Sequence, residues 1–164
     1  MPQLHRSLFV TLAALTLSAC SAGGAEDAPM DEAGAQSGVQ GSEVRACDLV
    51  NLQAATQVLG TGTEHPGGDT EAMTCMYVNP GVGMLSVQLA TAEYYDQVTI
   101  MQPHTAAQVG DRGRSNVQPN GVVAVQFVRG SHSLTLNVQP LGASQVDYLP
   151  PLLTAARDAA GRLP

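Results

Sequence analysis

Three cysteines (Cys20, Cys47 and Cys75) and four histidines (His5, His65, His104 and His132) are the side chains of this chain best suited to nucleophilic, redox or metal chemistry. Their spacing offers little of it. Neither Cys47 nor Cys75 sits in a CxxC or near a histidine at ligand spacing, so no metal site is expected. No HExxH, GxSxG, SxxK or phosphate-cradling glycine loop occurs. The carboxylates are scattered, with no pair spaced to share a proton. Asp69 and Glu71 share one loop and would hold a cation only weakly. His65 lies in a Gly/Pro loop, His104 follows a proline and His132 follows a tight turn, which are ordinary places for a solvated histidine. A hydrolase site is conceivable only if the middle turns bring His104, Asp111 and His132 together. The expectation is a non-enzymatic protein with no cofactor. Binding chemistry is better represented. Met73, Met76, Met84 and Met101 are many for a domain so poor in aromatics, and methionine adapts to irregular apolar ligands. Met84, Tyr94, Tyr95 and Met101 are the candidates to line a groove for a small apolar ligand or a protein. The competing reading makes them core filling.

Cys20 belongs to a different pattern. His5 and Arg6 precede an apolar run from Leu8 to Leu17, the layout of a secretory signal peptide over residues 1–19. The run is shorter than the ~20 apolar residues a bilayer span needs. Leu17-Ser18-Ala19-Cys20 resembles the lipobox of bacterial lipoproteins, which implies acylation of Cys20 and cleavage before it. Two or three acyl chains give a stable anchor where one is marginal. An ordinary signal peptide cut after Ala19 is the alternative. Ser21, in place of Asp, implies an outer-membrane position if the cell has one, and otherwise the outer face of its single membrane. Residues 20–44 carry Gly, Ala, Ser and Gln with five acids and almost nothing to bury, so they read as a disordered tether. With Cys20 assigned to a lipid, Cys47 and Cys75 remain as an even pair, expected as a disulfide outside the cytoplasm.

Residues 45–164 suit one domain with one core. Six arginines meet nine acids there, with no lysine and no basic stripe. Nucleic acid and anionic lipid are therefore unexpected partners, and membrane contact is left to the N-terminal lipid.

The elements that position these residues follow from periodicity. Asn51 is placed to cap a helix ending at Gly60. Met73–Val78 and Met84–Ala90 read as a hairpin, the second strand alternating Leu85, Val87 and Leu89 against Ser86 and Gln88. A helix is expected from Ala92 to about Met101, before Pro103. A weaker strand over Arg112–Val117 precedes two firm ones, Val122–Val128 and His132–Gln139, joined by tight turns. Leu149, Leu152, Leu153, Ala156, Ala160 and Leu163 form one stripe of a final helix, with Pro150 and Pro151 tolerated in its first turn. The order α-β-β-α-β-β-β-α predicts an α+β domain of two layers, an antiparallel sheet of about five strands with helices on one face.

Taken together, Cys47 opening a helix that ends in Leu59-Gly60, the Cys75-x-Tyr77 strand, Val109-Gly110-Asp111 and the hairpin turned at Gly130 resemble a family of small bacterial lipoproteins, common in actinobacteria, with a two-cysteine domain of unknown function. Tyr77 stands where many members have Trp. The resemblance implies the same architecture over nearly all of residues 45–164 and brings no catalytic residues.

Overall fold

Gly60, turns at Gly121 and Gly130, and the prolines of the last helix punctuate the described residues into ten short elements. The computed structural model describes residues 44–67, 72–98, 102–142 and 146–164, which form one compact unit. Cys20, the leader, the tether up to residue 43, Asp69, Glu71 and Met101 lie outside the described residues.

The fold is α+β. Its six strands are β1 (Thr74–Asn79), β2 (Gly83–Thr91), β3 (Thr105–Ala106), β4 (Arg112–Val117), β5 (Val123–Arg129) and β6 (His132–Pro140). They form one antiparallel sheet in the order β1-β2-β6-β5-β4-β3. The sixth strand is the two-residue β3, too short to leave a periodic signal in the sequence.

Four helices accompany the sheet: α1 (Ala46–Leu49), α2 (Leu52–Leu59), α3 (Tyr94–Gln97) and α4 (Leu149–Arg162). The expected cap is present. The Asn51 side chain accepts a hydrogen bond from the Ala54 N–H at 3.0 Å, satisfying an amide that α2 leaves without a helical partner. Of the helix expected from Ala92 to about Met101, the described residues form the single turn Tyr94–Gln97, and residues 99–101 lie outside them. The carbonyls of Tyr95 and Val98, which a longer helix would turn toward its own amides, accept instead from the guanidinium of Arg114.

Strand register divides the sheet cleanly. One face carries Cys75 and Tyr77, then Leu85, Val87 and Leu89, then Leu134, Leu136 and Val138, then Val123, Val125 and Phe127. Against it pack Leu49, Val50, Ala55, Val58 and Leu59 of the first two helices and Leu152, Ala156 and Ala159 of α4. Small alanines on α4 let it approach β5 closely. The short α3 turn lies on the opposite face, at the β4–β5 end, so that face is only half covered.

Candidate functional site

The second face of the sheet is built from residues out of phase with the core. Across β1, β2 and β6 it presents Thr74, Met76 and Val78, then Met84, Ser86 and Gln88, then Thr135, Asn137 and Gln139. No charged residue stands among these positions. Met76, Gln88 and Gln139 are exposed, and Val78, Met84, Ser86, Thr135 and Asn137 are half-buried. Val78 pairs with Met84 and Met76 with Ser86, so the two methionines are diagonal neighbours within reach of each other.

Toward β5 and β4 the same face is closed by a polar hub. Arg114 is 7 % exposed, and its guanidinium donates to the Gln126 side-chain oxygen at 2.9 and 2.6 Å, to the Tyr95 carbonyl and, at 3.2 Å, to the Val98 carbonyl. The Tyr95 ring lies over the guanidiniums of Arg114 and Arg112, 4.3 and 4.8 Å from its centroid. Three carbonyl oxygens and an aromatic face thus spread a buried charge that, among the described residues, has no carboxylate beside it. Among the described residues, four buried polar atoms make no hydrogen bond within the protein: Asn116 Oδ1, Gln126 Nε2, Ser133 Oγ and Asn137 Oδ1. All four belong to residues of this second face, where each unpaired atom costs about 1–3 kcal/mol.

This arrangement corrects the expected groove. Met84 does lie on the second face, but at the Gly83 end of β2, whereas α3 follows its Thr91 end. Thr91 lies roughly 23 Å along β2 from Met84, and α3 then packs over Arg114, three strands across the sheet. Tyr95 is buried over Arg114 and Tyr94 is half-buried beside it, so neither joins Met84, and Met101 lies outside the described residues. The neighbours of Met84 are Val78 and Met76. They were legible in principle, since the alternation of Thr74, Met76 and Val78 against Cys75 and Tyr77 puts them together.

The three residues of the conceivable hydrolase are likewise not assembled. The Asp111 carboxylate accepts from the Gly130 N–H at 2.9 Å and pairs with Arg129 at 3.1 Å. The Gly130 amide above all holds its carboxyl below the usual range; desolvation opposes it, and Arg129 adds to the lowering. Gly110 sets this up: at φ +61°, a Cβ there would meet the Val128 carbonyl at 2.3 Å. His132 pairs with Arg129 at this end of the sheet. His104 precedes Thr105, which pairs with Ser115, about 13 Å along β4 from Asp111. His104 instead lines an open cleft of about 270 Å³ at the β3–β4 edge, with Thr105, Asn116, Val117 and Leu149. A polar cleft of about 160 Å³ separates α2 from α4 at Gln53, Gln57, Asp158 and Arg162.

At the other end of the molecule Cys47 and Cys75 form the expected disulfide, which ties α1 to β1. No ligand spacing in the sequence links a histidine to them, yet the fold brings one close. An isolated bridge pairs Glu64 with Val78 through two backbone hydrogen bonds of 2.8 Å and lays the following residue over the disulfide. His65 Nε2 is 3.7 Å from Cys47 Sγ and 3.6 Å from Cys75 Sγ. Its ring also rests on Tyr77, 5.3 Å between centroids, whose buried hydroxyl donates to the Val50 carbonyl. Sequence separations of 18 and 10 residues hid this contact, because it depends on the loop returning to the edge of β1.

Among the described residues no helix is long and apolar enough to cross a membrane. No protein-family model, no curated protein and no solved structure matches the chain, so the likeness to small actinobacterial-type lipoproteins rests on its short motifs alone.

Proposed function

We propose that this chain is a lipid-anchored envelope lipoprotein whose domain is a non-enzymatic binding module, engaging an envelope protein through the open β1–β2–β6 half of the sheet. The observation that carries the reading is chemical. The β1, β2 and β6 positions of this face carry no charge, Glu64 standing only at its rim beside Val78, and with methionines at one corner and amide and hydroxyl groups across the rest they have the composition of an interface centre, which is depleted in charge and enriched in Met. The helix-covered face is spent on the core and cannot serve. A small apolar ligand has less support, since the β3–β4 cleft of about 270 Å³ is open, partly polar and below the about 300–1,000 Å³ usual for such sites. An accessory role in a larger envelope complex is the same surface used permanently. The separation of His104 from Asp111 and His132 supports binding over hydrolysis. The anchor at Cys20, and with it a place outside the cytoplasm, rests on the lipobox.

A photo-crosslinking residue placed at Met76 tests the reading in the native membrane, with one at Gln57 on α2 as the control. A discrete adduct from Met76 alone supports it. Adducts from both sites in equal yield, or from neither, contradict it.

A further inference from the structure

The Glu64–Val78 bridge lays position 65 over the disulfide that staples α1 to β1, where the His65 ring also rests on Tyr77. The bridge places one imidazole nitrogen nearly equidistant from both sulfurs. The three donor atoms lie within 4.8 Å of one another, and no other group of three or more His, Cys, Asp or Glu side chains among the described residues is so arranged.

The spacing matches a known coordination geometry. With zinc–sulfur bonds of about 2.3 Å and zinc–nitrogen bonds of about 2.0–2.1 Å, a tetrahedral site has N···S edges of about 3.6 Å and an S···S edge of about 3.8 Å. Both N···S edges are already present, at 3.6 and 3.7 Å. Only the sulfurs must part; Cys47 is the half-exposed one of the two, and Cys75 is buried in the core. We propose that Cys47, Cys75 and His65 form a latent site for a borderline or soft metal ion of the zinc class, closed while the disulfide stands and opened by its reduction.

The steps balance. A dithiol reductant attacks one sulfur and then resolves its own mixed disulfide. It leaves as a cyclic disulfide, and its two hydrogens pass to Cys47 and Cys75. The cation displaces those two protons and takes two thiolates. Nε2, which can donate weakly to sulfur while the bond is intact, must present its lone pair, so the ring carries its proton on Nδ1. Three protein ligands leave the fourth tetrahedral position for water or an external ligand. Metal and disulfide are then exclusive states of one site.

The test uses the full chain carrying Cys20→Ser, so that Cys47 and Cys75 are the only thiols. The protein is reduced with a phosphine under anaerobic conditions and titrated with cobalt(II), reading thiolate-to-cobalt charge-transfer absorption alongside far-ultraviolet circular dichroism. The expected result is one cobalt per chain in the reduced protein, none in the oxidised protein, and displacement by zinc. His65→Ala and His65→Gln should each bind cobalt at least tenfold more weakly with an altered spectrum, and Cys47→Ser should lose the charge-transfer band. Refolding on metal addition, if reduction unfolds the domain, also supports the site. No cobalt absorption in the reduced chain, one cobalt shared between two chains, or wild-type affinity and spectrum in both His65 variants would overturn it.

Discussion

On the helix-covered face the strands present Leu85, Val87, Leu134 and Leu136, and on the opposite face the same two strands present Ser86, Gln88, Thr135 and Asn137. The first set is 0 % exposed and shares one apolar cluster with residues of α1, α2 and α4. The second is uncharged, partly open, and belongs to the face that holds all four buried polar atoms without a protein partner. Alternation with a period of two makes this possible, because each strand can serve two purposes at once. Apolar burial is concentrated on one side of the sheet, and the β1–β2–β6 half of the other side stays partly exposed.

The comparison can be broken most severely in the core. Phe127→Ala, at a fully buried position, should cost about 3–5 kcal/mol in denaturant unfolding, whereas Gln88→Ala across the sheet should stay within about 0.5 kcal/mol. Near-equal losses would dissolve the distinction between the faces. Next comes the staple of the helix layer. The Cys47–Cys75 bridge closes a loop with a sequence separation of 28, so its double replacement by Ser should cost about 3.5 kcal/mol on the chain-entropy account. Equal midpoints with and without the bridge would contradict that account. The covered half of the second face gives a smaller effect. Arg114→Met strips the Gln126, Tyr95 and Val98 oxygens of their donor and should cost at least about 2 kcal/mol, with Arg114→Lys recovering only part because it lacks the two-pronged grip on Gln126. A neutral outcome would mean that the hub is dispensable cover.

The smallest effect is a pH dependence at the β5–β6 turn. The Asp111 carboxyl titrates lower in the folded chain than in the unfolded one. Its contribution is therefore fully present above the unfolded value, ~3.9, and is lost as the pH falls through the folded value. Asp111→Asn should show a shallower loss of stability on acidification than the parent chain, compared by urea unfolding at neutral and acid pH. Parallel curves would show that the Gly130 and Arg129 contacts carry no linkage.

The alternation of β2 and β6, the Asn51 cap, the Pro-led final helix and the pairing of Cys47 with Cys75 could all be read from the chain, because each depends on local spacing or on counting. The site was less legible. Arg114 sits in Arg-Gly-Arg-Ser-Asn, a stretch whose charge marks an exposed edge; its burial depends on Tyr95 and Gln126, 19 and 12 residues away. The end of α3 was hidden for the same reason, since the carbonyls that stop it answer to Arg114. His65 meets the cysteines only because Glu64 pairs with Val78. The groove expected at Met84, Tyr94, Tyr95 and Met101 does not assemble, because the companions of Met84 are Val78 and Met76 across the hairpin and Tyr95 is carried over Arg114 on β4.

The most direct measurement is a paired one on Gln88→Arg/Thr135→Arg, which puts two charges into the open face without touching the core. The account predicts unfolding free energy within about 1 kcal/mol of the parent, because these side chains stand outside the apolar cluster. It also predicts loss of the Met76 crosslink in the same membranes. An intact crosslink in a stably folded double variant would contradict the claim that this face is where the protein is recognised.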